Sequence, residues 1–176
     1  SASNTGTVRA SGELTVLKSK SPAGNLLPGQ STTFTLQPQL AAGADDLPAG
    51  AQITVTDQLP GTTTDFGVTA IAGGGASCNS ATAANAARTV SCTISGPLTA
   101  AQVSAISITV TGAPGTTGTF TNVGSTAAVN PGYFDLNPDN NTANVNYTVD
   151  PGGDVQAAGS FAPNRSEEHT SELQSR

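Results

Sequence analysis

Charge is scarce in this chain. Asp, Glu, Lys and Arg make up 10% of its 176 residues, where an ordinary soluble domain carries about 25%. There is no Met and no Trp, and the sequence holds two Cys and one His. Each shortage excludes something. Few cations and a formal net charge of -6 argue against a nucleic-acid partner, which needs clustered Lys and Arg, and against an anionic membrane surface. No run approaches the roughly 18 apolar residues of a membrane-spanning helix, so no membrane insertion is expected in this segment. One His leaves no imidazole-rich zinc shell, and a conventional Ser–His triad would have to use that one residue.

The single His lies in a stretch that departs from the rest. Residues 165–176, RSEEHTSELQSR, hold 5 of the 18 charged residues. The run from Arg165 to Ser175 resembles what one reading frame of a widely used short-read sequencing adapter encodes. We therefore expect a non-native tail, which is set aside from the fold, and a natural protein that continues past Asn164. On that reading Glu167, Glu168, His169 and Glu172 carry no chemistry, and no histidine remains.

What the chain does have is Thr, Ser, Gly and alternation. Apolar residues at every second position mark half-buried strands. Residues 13–18 place Leu14 and Val16 on one face, residues 31–37 place Phe34 and Leu36, and residues 51–57 place Ile53 and Val55. Residues 88–94 place Val90, Cys92 and Ile94 inward, residues 106–111 place Ile106, Ile108 and Val110, and residues 143–149 place Val145, Tyr147 and Val149. Weaker runs lie at 65–71 and 118–129. Thr fills many outward positions, where its β-branch suits a pleated surface. The intervals carry turn chemistry: Pro28-Gly29, Pro60-Gly61, Gly73-Gly74-Gly75 and Pro131-Gly132. Only 98–105 could be helical, and it reads as a short turn. About seven to nine short strands with regular turns predict an all-β protein, an immunoglobulin-like antiparallel β-sandwich. The domain is expected over residues 13–149, with 1–12 as the end of an upstream segment and 150–164 as a linker toward a next unit.

The order of motifs carries a resemblance. LTVLKSKSP (14–22), LPGQSTTFTLQ (27–37), ITVTDQLP (53–60), VSCTI (90–94), ISITVTG (106–112), GTFTNVGSTAAV (118–129) and DLNPDNNTANVNYTV (135–149) follow one another. In that order they resemble the immunoglobulin-like bacterial surface-repeat family catalogued as domain of unknown function eleven. The most specific parts are Thr56-Asp57-Gln58-Leu59-Pro60 and Asn137-Pro138-Asp139-Asn140-Asn141-Thr142-Ala143. The resemblance implies a tandem repeat of large exported proteins, without enzymatic activity. Residues 39–50 depart from the family's usual Asn-containing turn.

Few residues offer chemistry. Cys78 and Cys92, an even pair in an apparently exported chain, favour a disulfide over two buried thiols. Asp135, Asn137, Asp139 and Asn141 resemble the first half of an oxygen-ligand calcium loop. Asn140 stands where that loop needs Gly and Asn146 where it needs Glu, and the same residues also make a hydrogen-bonded turn. Asp57, Asp45 and Asp46 read as turn caps. Lys18, in the first strand, could face Asn144 or Asn146 of the last. That would oppose an amine to a carboxamide, the pairing from which an isopeptide bond forms, but no assisting buried carboxylate is identifiable. Tyr133 and Phe134, the only adjacent aromatics, read with Phe34, Phe66, Phe120 and Tyr147 as core packing or loop anchors rather than a sugar-binding platform.

These readings favour a non-catalytic structural spacer of an exported bacterial surface or adhesin-like protein, with neighbouring repeats of the same chain as its partners and no cofactor. Two alternatives stand beside it. One is an extracellular module that binds carbohydrate or protein, including host or cell-wall ligands, with calcium assistance. The other is an accessory domain of an exported enzyme. Fold alone does not choose among them.

Overall fold

Every one of the eight alternating runs forms a strand in the computed structural model, which describes residues 9–79, 88–129 and 132–153. The long strands are β2 (Leu14–Ser21), β3 (Thr32–Leu40), β4 (Gln52–Gln58), β5 (Phe66–Ala72), β7 (Thr89–Ser95), β8 (Ile108–Pro114), β9 (Gly118–Val129) and β11 (Thr142–Val149). Three pieces of two or three residues complete the set: β1 (Ala10–Gly12), β6 (Ser77–Cys78) and β10 (Tyr133–Asp135). These are too short for a periodic signal.

The strands make two antiparallel sheets, ordered β2-β3-β8-β5 and β11-β9-β4-β7-β6. Their inner faces close on one core. Phe34 and Leu36 of β3 and Val110 of β8 meet Ile53 and Val55 of β4 and Val90 and Ile94 of β7, all almost fully buried. Phe34, Phe66 and Tyr147 pack ring to ring with centroids 5.3 and 5.6 Å apart, and Phe120 stacks on Tyr147. This is an immunoglobulin-like β-sandwich, as the alternation predicts.

Two expectations are corrected. The segment read as a turn, 98–105, contains a short helix, α1 (Ala100–Ser104). Thr99 caps it: its side chain accepts the Gln102 N–H while Gln102 reaches back to the Thr99 backbone. That reciprocal pair is a capping box. Beyond Leu36 the β8 ladder stops, and Ser104 instead receives the Leu40 N–H on its hydroxyl. The helix thus covers a strand edge that β8 leaves unpaired. Pro38 lies beyond the end of that ladder, a place that tolerates its missing donor.

The second correction concerns the upstream segment. Ala10–Gly12 pairs parallel with β10 and belongs to the fold. Gly12 is required there, because a Cβ would come within 2.5 Å of the Tyr133 hydroxyl and 2.4 Å of Ala44 Cβ. Residues 1–8, most of the linker (154–164) and the tail (165–176) lie outside the described residues.

The path of the chain has a direction. β2 begins where β11 begins: Asp135 accepts the Leu14 N–H, and Asn140 hydrogen-bonds Glu13. β11 ends beside the segment that follows β2, where Leu26 N–H bonds Thr148 O and Asp150 N–H bonds Leu26 O. The two strands therefore run side by side in the same sense, on opposite sheets. The chain comes in at one end of the sandwich and goes out at the other, eight residues of strand away, or roughly 26 Å at ~3.3 Å per residue.

Candidate functional site

Polar side chains in a sandwich core are costly unless paired, so the interior ones locate whatever chemistry the fold holds. The most deeply placed lie between the two sheets near β2, β4 and β9. Leu14, Val16 and Lys18 share one parity of β2, and Ile53, Val55 and Asp57 share one parity of β4. The period of 2 that buries the apolar residues also carries Lys18 and Asp57 inward. Their side chains are 0% and 1% exposed and meet at 2.6 Å between Nζ and Oδ1. Lys18 Nζ also stands 5.5 Å from the centre of the Phe34 ring.

Asn122 of β9 faces the same space and is fully buried. Asp57 lies opposite Gly124 in the β4–β9 ladder, so Asn122 is its diagonal neighbour on the inner face. As a donor, Asn122 draws the Asp57 pKa down. The contact stops short of a full hydrogen bond, and among the described residues neither amide atom of Asn122 has a partner; nor does Asp57 Oδ2. Burial is the larger influence on both charged groups. It raises Asp57 against the pull of Lys18 and Asn122, and it lowers Lys18 against the pull of Asp57.

Several sequence expectations change here. Asp57 is not a turn cap but one half of a buried ion pair. Asn144 and Asn146 of β11 are exposed and do not meet the buried Lys18 side chain. Asp45 and Asp46 do act as local anchors: Asp45 accepts the Ser11 N–H at 2.9 Å, and Asp46 accepts the Ala100 N–H at 2.9 Å at the start of α1.

The Asp/Asn run of 135–141 splits in two. Asp135 and Asn141 are buried and bonded to each other, and Asp135 also accepts the N–H groups of Leu14 and Asn137, both at 3.2 Å. Asn137 and Asp139 are exposed, the first just before a 3-10 turn over Pro138–Asn140 and the second in the middle of it. The four residues named as calcium ligands are thus not brought to one point. Among the described residues no group of three or more His, Cys, Asp or Glu is arranged to hold a metal.

Cys78 and Cys92 are joined, and face each other directly across β6 and β7 with Cα atoms 4.0 Å apart. Arg88, just before β7, is buried. It donates from one guanidinium nitrogen to Phe66 O at 2.6 Å and Pro60 O at 3.3 Å. Tyr133 is buried and donates to Asp45 O at 3.0 Å, while its neighbour Phe134 is 51% exposed, together with Leu136 at 61%. Phe134 is therefore no core anchor. It borders a hollow of about 230 Å³ with Leu136, Ala128 and Pro138.

No protein-family model matches the chain, and no curated protein matches it. Among solved structures it is similar to a cohesin module from a Clostridium perfringens family 33 glycoside hydrolase. That match has 8% identity and a TM-score of 0.52, and covers 81% of this chain and 99% of that one. It is also similar to the Actinomyces fimbrial adhesin FimA, at 17% identity and a TM-score of 0.46, over 75% of this chain and 56% of that one. The major pilin SpaD of Corynebacterium diphtheriae gives 14% identity and a TM-score of 0.40, over 78% of this chain and 34% of that one. At such identities likeness speaks of fold alone, and of these three the cohesin module is near enough to carry that statement. Among the described residues no helix is long and apolar enough to cross a membrane.

Proposed function

We propose that this domain is a non-catalytic spacer module of an exported bacterial surface protein, set in line with further copies of itself. The observation that carries the proposal is the path of the chain: in beside Leu14 and Asp135, out beside Leu26 and Asp150, at opposite ends of the sandwich. Units joined that way extend a stalk by about one strand length each. A chain that entered and left at the same end would instead hang each unit as a side branch. The disulfide supports an oxidising compartment, and the motif resemblance to the surface-repeat family supports the repeat. The interior polar residues are locked in the sandwich rather than grouped in an open cleft, which supports a role without catalysis.

Reading the parent gene tests this. Flanking copies of the ITVTDQLP and NPDNNTA patterns behind an export signal are expected, and antibodies against the domain should label intact cells. A single copy fused to a catalytic domain would overturn the spacer reading in favour of an enzyme accessory.

One observation favours a binding module as the second reading: Phe134 and Leu136 expose apolar surface next to a hollow, as ligand-contact patches do. Glycan and surface-protein arrays probed with the domain and with Phe134→Ser separate the two. Binding lost in the variant supports this second reading, and an array without hits removes it.

A further inference from the structure

A Lys amine, a carboxyl group and an Asn carboxamide, buried side by side, are the complete set of parts for an amide exchange. From the juxtaposition of Lys18, Asp57 and Asn122 between the two sheets we infer that the folded domain forms an intramolecular isopeptide bond from Lys18 Nζ to Asn122 Cγ, with Asp57 moving the protons. This goes beyond the spacer reading and does not depend on it, since the chemistry requires only the fold.

The placement is specific. Lys18 belongs to the sheet of β2, and Asp57 and Asn122 to the sheet of β4 and β9. β2 packs across β9. Room for the lysine is made by Gly124, two residues from Asn122 on the same inward face. A Cβ at that glycine would stand 3.1 Å from Lys18 Cδ and 3.3 Å from Lys18 Nζ. Asp57 holds Nζ by one oxygen, and its other oxygen has no hydrogen-bond partner among the described residues. Among the described residues Asn122 has only its incomplete contact with Asp57, although both its amide atoms are buried. An orphan carboxamide there is costly as a structural element, whereas as a reactant it needs to be free.

The balance of the reaction closes within the site. A proton passes from the Lys18 ammonium to the Asp57 carboxylate, leaving a neutral amine and a neutral acid. This is the direction in which burial drives both groups. The Nζ lone pair attacks Asn122 Cγ, and the C–N bond forms as the carbonyl electrons move to Oδ1, which the protonated Asp57 supports. Asp57 then gives its proton to Nδ2 and takes one from the attached nitrogen. The Cγ–Nδ2 bond breaks as the carbonyl re-forms, and ammonia leaves. The one proton left over from the Lys18 ammonium stays on the Asp57 carboxyl group or departs with the ammonia as ammonium. One amide replaces another, nothing is oxidised or reduced, and no co-reactant is required. Desolvation makes the amine a nucleophile, general acid–base catalysis handles the poor leaving group, and the fold supplies the proximity.

The product would join the strand by which the chain comes in to the neighbour of the strand by which it leaves. Tension along a stalk would then pass through a covalent bridge between the sheets instead of through packing.

Intact mass of the folded protein under denaturing conditions tests this, with fragmentation of its proteolytic peptides. The inference expects the chain lighter by one ammonia, beyond the two hydrogens of the disulfide, and a branched peptide joining the Lys18 and Asn122 segments. Asn122→Ala and Asp57→Asn should each restore the full mass. Asn122→Ala removes an unpaired group and is expected to fold, as circular dichroism would check, so the test does not hang on Asp57→Asn folding. A folded wild type at full mass with ordinary Lys18 and Asn122 peptides would overturn the inference. So would a deficit that persists in Asn122→Ala, because the ammonia would then come from another residue.

Discussion

The Asp135 carboxylate receives the backbone N–H of Leu14 at 3.2 Å across 121 residues of sequence. It ties the first long strand to the approach of the last, at the end of the sandwich where the chain comes in. The same carboxylate takes the N–H of Asn137 and the side chain of Asn141. Three donors of the protein thus converge on this one carboxylate.

Replacing Asp135 with Ala strands the buried Leu14 N–H and the Asn141 amide. Unsatisfied buried groups cost about 1–3 kcal/mol each, so a loss of roughly 2–4 kcal/mol is expected in urea unfolding. Calcium at millimolar concentration should leave the melting temperature of the wild type unchanged against a matched-salt control. A clear rise with calcium would mean that this carboxylate is a ligand, by binding linkage.

The two tyrosines differ in one respect that mutation can read. Tyr133 donates to Asp45 O, while the Tyr147 hydroxyl has no partner among the described residues. Tyr133→Phe should cost about 1 kcal/mol, and Tyr147→Phe should be neutral or slightly stabilising, because it removes an unpaired buried hydroxyl. Both phenols are pushed up by burial to about 12. A raised phenol pKa leaves stability intact below the ordinary value of about 10 and drains it as pH climbs toward the folded value. The folded protein should therefore show no tyrosinate absorbance near pH 10 and lose stability between there and pH 12. Ionisation of either tyrosine at its ordinary pH, with the fold intact, would contradict the burial described for it.

Much of this fold was legible because half-buried strands announce themselves. Val90, Cys92 and Ile94 alternate with Thr and Ser, and Phe34 and Leu36 do the same. The two-residue β6 and three-residue β10 could not be read, since they are shorter than any period. The helix was legible after all: Thr99 and Gln102 stand at capping-box spacing. The buried cluster was only half visible. Lys18 continues the inward parity of Leu14 and Val16, and Asp57 that of Ile53 and Val55, so parity alone placed two opposite charges inside. Asp57 reads instead as a turn cap beside Leu59-Pro60, and Lys18 as facing Asn144 or Asn146, because charge ordinarily marks the surface. Asn122 was harder. Its inward companions in the middle of β9 are Gly124 and Thr126, with Phe120 and Ala128 farther out. Val123 and Val129 lie on the other face, so no continuous apolar stripe reveals which face is buried.

Reduction of the Cys78–Cys92 bond should be felt through the unfolded chain. It closes a ring with a sequence separation of 14, worth about 3 kcal/mol in the chain-entropy account. That corresponds to a fall of about 6–12 °C in melting temperature for a chain this size. Differential scanning calorimetry with and without reductant measures it. No change on complete reduction would show that the β6–β7 ladder holds that ring closed without the bond.

Central to the account is a module that takes tension between its two ends and bridges its sheets covalently. Single-molecule pulling of the chain by its termini tests that most directly. The account predicts that the segment between Lys18 and Asn122 contributes nothing to the extension at any force short of breaking covalent bonds, and that Asn122→Ala releases it, apart from the ring closed by the disulfide. If that segment of the wild type extends under low force, the domain is held by packing alone and the account is wrong.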